Sequence, residues 1–131
     1  MSDATTVTAR RALIERYFAL VGAGEIDAVV ACFAEDSSFW PPLAPQPLRG
    51  HAAIRGFFEG LIPLFEQRHE VTTRVVVDGD RGLSELVFDA TFPDGRTVHF
   101  ENCNSFTFRG ALFGDVRVYA DAADMRRQLG V

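Results

Sequence analysis

Three turn signatures cut the second half of the chain into four extended segments, and this pattern limits the fold more than any other feature of the sequence. Asp78-Gly79-Asp80, Pro93-Asp94-Gly95 and the run from Gly110 to Gly114 separate residues 70–78, 83–92, 96–109 and 115–121. Turn chemistry at such spacing pairs neighbouring strands, so the four segments predict an antiparallel meander. Ahead of them the apolar period is helical. Leu13, Ile14, Tyr17, Phe18 and Val21 form one stripe over residues 6–21, with Thr and Asp residues ahead as cap candidates and Gly22 and Gly24 behind. Residues 25–33 repeat the pattern as a short second helix. A third runs from Gly50 through Ile54, Phe57, Phe58 and Leu61 to Pro63, which breaks it, and a last short helix is expected over residues 122–129. Three helices followed by a curled antiparallel sheet define an α+β domain in which the helices cover one sheet face.

With 131 residues the chain fits a single domain, residues 1–131, large enough to enclose a pocket. No apolar stretch reaches the roughly 20 residues of a membrane span. The first residues lack a basic segment followed by a short apolar core, so the cytoplasm is the expected location. Net charge is −5 without a long basic run, which argues against nucleic acid as a partner. All 13 basic residues are arginine, so chemistry that needs a lysine amine, such as a Schiff base or a pyridoxal phosphate anchor, is excluded. Cys32 and Cys103 lie outside any CxxC spacing and read as buried thiols. His51, His69 and His99 form no ligand pattern, so no metal and no cofactor is expected; His51 and His99 read as surface residues.

The strand expected over residues 96–109 sets Phe100, Asn102, Asn104, Phe106 and Phe108 on one face and His99, Glu101, Cys103, Ser105 and Thr107 on the other. The phenylalanine face should point inward. Two asparagines on that face need hydrogen-bond partners, and a wet pocket supplies them economically. Between the second and third helices, Trp40 and the prolines Pro41, Pro42, Pro45 and Pro47 make a stiff aromatic loop, expected to form a cavity mouth or wall with Trp40 on it.

The stretches RYFALVGAGEIDAVVACFAED, GHAAIRGFF and VRVYADAADMRRQL resemble the SnoaL-like and ketosteroid-isomerase-like branch of the nuclear transport factor 2 superfamily. The resemblance spans nearly the whole chain. It implies a cone-shaped fold around an apolar cavity, usually a homodimer through the outer sheet face, and hosts both enzymes and non-enzymes. In ketosteroid isomerases a tyrosine of the first helix donates to the developing enolate, and Tyr17 occupies the matching place. The second donor's place falls on Asn104, and the base's place falls on Pro41. The limonene-epoxide-hydrolase set fares no better: its places fall on Glu85, Val87, Val118 and Pro41. Neither known site is intact.

The same comparison turns Glu85, Val87, Asp89 and Thr91 inward, which nominates Asp89 or Glu85 to move protons while Tyr17 and Asn104 polarise an oxygen. A register shifted by one would instead bury Leu86 and Phe88 and leave both acids in solvent. Phe57, Asn102, Phe106 and Val118 are expected to line the pocket with Trp40. Arg117, Tyr119 and Asp121 should point outward, as dimer or helix-anchoring contacts. These residues suggest a cofactor-independent proton-transfer enzyme, of isomerase, dehydratase or cyclase type, on a small and largely apolar carbonyl or hydroxylated compound. Two alternatives stay open: a small-molecule-binding or accessory protein that lacks the base, and a dimerisation module whose core is filled by the twelve phenylalanines.

Overall fold

The computed structural model describes residues 4–131. Four helices, α1 (Ala4–Ala23), α2 (Ile26–Ala31), α3 (Gly50–Leu61) and α4 (Ala122–Leu129), accompany six strands. These are β1 (Phe33–Trp40), β2 (Leu48–Arg49), β3 (Gln67–Asp78), β4 (Arg81–Thr91), β5 (Thr97–Arg109) and β6 (Leu112–Tyr119), with a 3-10 turn over Ile62–Leu64. They form one curved sheet in the order β2-β1-β6-β5-β4-β3. The expected meander is β3 to β6. Asp3, a cap candidate for α1, lies outside the described residues.

The sheet holds more than the meander. Phe33 to Trp40, expected as the end of α2 and the start of a loop, is a strand that pairs parallel with β6. Its sequence hides this because the register against β6 shifts between Phe33 and Ser38. Alternation is thereby lost: Phe33 and Ala34 are buried, Glu35 and Asp36 exposed, and Ser37 to Phe39 buried again.

Side chains from α1, α2, α3 and the inner face of β1, β5 and β6 make one core, centred on Ile14, Tyr17, Phe33, Phe58, Phe106 and Phe113. A second, smaller cluster joins Phe65, Phe88, Phe92 and Phe100 to Met125 of α4. Three arginines fasten α1 to the far edge of the sheet. Arg10 donates to the Gly79 carbonyl, Arg11 to Val75 and Arg68 to Val21, at 2.7, 2.9 and 2.9 Å. α3 is an amphipathic helix that buries Ile54 and Phe58. His51 in its first turn is half-buried rather than on the surface, with Nε2 2.7 Å from the Phe33 carbonyl.

α4 closes the open end of the cone. Asp121 caps it by accepting from the Asp124 amide at 3.0 Å, and Gly130 ends it in the left-handed region. Gln128 bonds both the amide and the carbonyl of His99 at 2.8 Å, so its side chain continues the ladder where β6 no longer covers β5. Among Arg117, Tyr119 and Asp121, helix anchoring is therefore the part of Asp121. No helix among the described residues is long and apolar enough to cross a membrane.

Removing the cap and emptying the core should cost different amounts. Asp121→Ala is expected to lower stability by about 1 kcal/mol. Phe106→Ala, which deletes a ring with no exposure at all, should cost about 3–5 kcal/mol. Chemical denaturation of both variants beside the wild type checks the pair.

Candidate functional site

The two apolar clusters do not meet everywhere, and the gap between them is a cavity of about 200 Å3. Phe57, Phe58 and Leu61 of α3, with Phe65, Phe88 and Phe100, give it apolar walls. Pro42 and Leu43 stand at its mouth, and α4 contributes Met125 and Leu129. Four polar side chains interrupt this surface: Tyr17, Glu70, Asn102 and Asn104.

Glu70 is the cavity's carboxylate. It lies on β3 opposite Phe88 of β4, so the two share the inner face, and its side chain is only 4% exposed. Arg68, two residues earlier on the same face, reaches it at 3.2 Å with Nη1. Burial pushes the Glu70 carboxyl up to about 6, against the lowering effect of the Arg68 charge and hydrogen bond. At pH 7 the ionised form prevails, which leaves a carboxylate able to take a proton in apolar surroundings.

Tyr17 is 3% exposed and sits inside a ring of Phe18, Phe33, Phe58, Phe106 and Phe113. Burial drives its hydroxyl far above the ordinary range, with the Glu70 and then the Cys32 charges adding to the rise. The phenol therefore stays protonated and acts as a donor, and Glu70 stands within electrostatic reach of it. Asn102 and Asn104 project from β5 beside them. Asn104 is 3% exposed, and the buried Nδ2 of Asn104 and Oδ1 of Asn102 have no protein partner.

A family model described as the SnoaL-like domain matches residues 14–113. The chain belongs to the SnoaL-like family. Solved structures agree on the fold at low identity. A nuclear transport factor 2-like protein of unknown function from Burkholderia pseudomallei superposes with a TM-score of 0.84 at 14% identity, over 94% of this chain and 98% of that one. A SnoaL-like polyketide cyclase, so described provisionally, from Jannaschia gives 0.82 at 17%, over 96% and 95%. SalBIII, an epoxide hydrolase/cyclase-like enzyme of pyran ring formation in the polyether salinomycin, gives 0.78 at 22%, over 88% and 92%.

Within this SnoaL-like chain the expected site residues divide cleanly. Tyr17, Asn102, Asn104, Phe57 and Val118 line the cavity. Asp89 and Glu85 do not: both lie on the outer face, a correction to the inward reading of β4. Their cross-strand partners on β5 are His99 and Cys103, whereas Ser84, Leu86 and Phe88 pair with Asn104, Asn102 and Phe100. Asp89 is half-exposed and hydrogen-bonds His99 Nδ1 at 2.7 Å, and Glu85 pairs with Arg74 at 3.2 Å. Trp40 is also corrected. It aligns with Arg117 on the outer face, where the guanidinium stacks 4.0 Å over its ring, while its neighbour Phe39 faces the cavity. Phe106 is wholly buried beneath Tyr17 and Phe18 and does not line the cavity.

Glu70 and Arg68 were missed because neither carries an apolar signal. The usable clue is alternation: Arg68, Glu70 and Thr72 share the inner face of β3 until a bulge between Thr72 and Arg74 moves it to Val75 and Val77. A larger concavity, about 690 Å3, is an open polar trough past His69, Asp89, His99 and Gln128. The smaller cavity is the better chemical site, because there a carboxylate is desolvated among apolar walls. Both thiols are raised, Cys32 and Cys103 chiefly by burial, so neither is an activated nucleophile. Among the described residues, no cluster of three His, Cys, Asp or Glu side chains is placed to hold a metal ion.

The raised carboxyl of Glu70 makes stability depend on pH in a definite direction. Its folded value of about 6 exceeds the ordinary 4.5, so the folded state holds the proton more tightly than the unfolded chain does. That contribution is complete below pH 4.5 and is lost as pH rises through about 6, a difference of about 2 kcal/mol. Urea titrations across this window should show the decline in the wild type and its absence in Glu70→Gln. In Arg68→Gln the decline should move to higher pH.

Proposed function

We propose that this SnoaL-like protein is a cofactor-independent proton-transfer enzyme acting on a small, largely apolar carbonyl compound, with Glu70 as its base. The observation that carries the reading is the buried carboxylate of Glu70 facing Tyr17 and the asparagines across an apolar cavity. Glu70 takes a proton from the carbon next to the carbonyl. The electron pair moves into the new carbon–carbon double bond, and the oxygen gains the negative charge. Tyr17 and Asn104 then serve as donors to that oxygen, in surroundings where fixed donors act strongly. Return of the proton at another carbon completes an isomerisation; loss of a β-hydroxyl, protonated as it leaves, completes a dehydration. β3 thus supplies the carboxylate that the loop lacks at Pro41.

The absence of a carboxylate at Pro41 and the 3.2 Å pairing of Glu70 with Arg68 favour a second reading, in which the cavity binds its ligand without turnover. An exchange experiment separates the two. Benzylacetone, an apolar ketone, is incubated with the protein in deuterated buffer, and loss of its α-proton signals is followed by NMR. The enzyme reading expects exchange above the buffer background, rising with pH to a plateau and half-maximal near pH 6. Glu70→Gln should lower it by a factor of about 100 to 10,000, and Tyr17→Phe by about 10 to 1,000. Binding of the ketone with exchange no faster than in buffer would establish the non-catalytic reading instead.

A further inference from the structure

Glu70 has a buried neighbour that takes no part in the proton transfer itself. Arg68 is only 9% exposed, and its guanidinium serves two elements at once. Nη1 donates to the Glu70 carboxylate at 3.2 Å and to the Val21 carbonyl at 2.9 Å, and Nη2 reaches the Gly22 carbonyl at 3.4 Å. Both carbonyls belong to the last turn of α1, where C=O groups lack helical partners. The chain then turns through Gly24 in the left-handed region, close enough to the guanidinium that a Cβ there would lie 3.8 Å from Nη2. One turn before Val21, on the same stripe of α1, stands Tyr17. A single helical turn and one arginine thus connect the donor to the base, across a cavity that both line.

We propose that Arg68 is a positioning residue: by bridging the end of α1 to Glu70, it fixes where the carboxylate stands relative to Tyr17 and the bound substrate. The assignment rests on the reading of Glu70 as the base. Charge alone does not account for the arrangement. A cation present only to neutralise Glu70 needs contact with Glu70, whereas this one makes two of its three contacts to α1. The planar guanidinium sets its donors at fixed angles, which a lysine ammonium on a flexible stem does not reproduce. Among the described residues that line the cavity, no side chain besides Glu70 is charged: β4 presents Leu86 and Phe88, α4 Met125 and Leu129, and α1 the neutral phenol of Tyr17. Arg68 therefore acts on Glu70 in two separable ways. Its charge favours the ionised carboxyl, and its fork holds that carboxylate in place.

The test follows the α-proton exchange of benzylacetone across a pH series, with the intact protein and two variants. Arg68→Lys keeps the charge and removes the fork. Its exchange should still be half-maximal near pH 6, while the plateau falls by roughly tenfold to a hundredfold. Affinity for benzylacetone, read by NMR titration, should change by less than about twofold, since the ketone is bound by other groups. Arg68→Gln removes charge and fork together. Its midpoint should move to higher pH, and its plateau should stay low even though a carboxylate of higher pKa is the stronger base; Arg68→Met carries this arm if the glutamine variant does not fold. A lysine variant with the wild-type plateau would make Arg68 a counter-charge only, and a plateau lost in step with ketone affinity would make it a prop of the fold. Either result overturns the assignment while leaving Glu70 as the base. A wild type with no exchange above buffer removes the base itself, and the positioning role falls with it.

Discussion

β4 and β5 are joined by an unbroken ladder from Arg81↔Thr107 to Thr91↔Thr97, and because side chains alternate with period 2, this register assigns every residue of the central sheet to a face. Leu86, Phe88 and Phe100 go in with Asn102 and Asn104; Glu85, Asp89 and His99 go out. A slip of one residue in β4 would expose Leu86 and Phe88, at about 1.5–3 kcal/mol each, and push two carboxylates toward the apolar interior. Apolar burial and charge solvation agree on the observed register. β3 then needs a different solution, since its inner face must serve both the cavity and α1. The bulge between Thr72 and Arg74 supplies it: Arg68 and Glu70 face the cavity before it, and Val75 and Val77 join the core beneath α1 after it.

Arg68 ties the site's electrostatics to the fold. The same Nη1 that reaches Glu70 also donates to the Val21 carbonyl at 2.9 Å, in the last turn of α1, which has no basic residue of its own there. A cation at a helix C-terminus is favourable, so Arg68 is held by α1 as well as by Glu70. Its charge is consequently shared. Desolvation outweighs the pairing, and the Glu70 carboxyl ends above its ordinary value rather than below it. A carboxylate neutralised fully by its own arginine would be a poor base; one left unpaired in this cavity would hold its proton to higher pH. The shared guanidinium holds Glu70 between those limits.

Most of the architecture was legible in the sequence where a period persisted over many residues. The stripes of α1 and α3, the turn signatures of the meander and the inner face of β5 all repeat long enough to be read. β1 was not legible, because its bulged register against β6 breaks the alternation within eight residues. That omission also misplaced Trp40: as a loop residue it could point anywhere, but as the last residue of β1 it must face away from Phe39. Asn102 and Asn104 were found because polar groups on an apolar face stand out, and Tyr17 because it occupies the place of the donor tyrosine in the family the chain resembles. Glu70 sits between Arg68 and Thr72 on a face whose polar stretch looks like solvent-exposed strand, and only the placement of α1 and α3 over it turns that stretch into a site. Asp89 and Glu85 were nominated by a gapless alignment, which cannot fix which face of β4 is inward.

The proline loop acts on the cavity without Trp40 entering it. Trp40 Nε1 donates to the Ala44 carbonyl at 2.9 Å, and its ring stacks with Arg117, which also lies 4.7 Å from the Tyr119 ring. This post on the outer face fixes both ends of the short segment that returns to the mouth. Between them Leu43 adopts φ 68°, a left-handed conformation that costs a non-glycine residue about 1–3 kcal/mol, and its side chain packs against the cluster of Phe65 and Met125. Such strain persists only where the surroundings over-determine it, here through flanking prolines and the anchored indole. The 200 Å3 space is thus bounded by Pro42 and Leu43 of this segment, while β3 brings the Glu70 carboxylate to it.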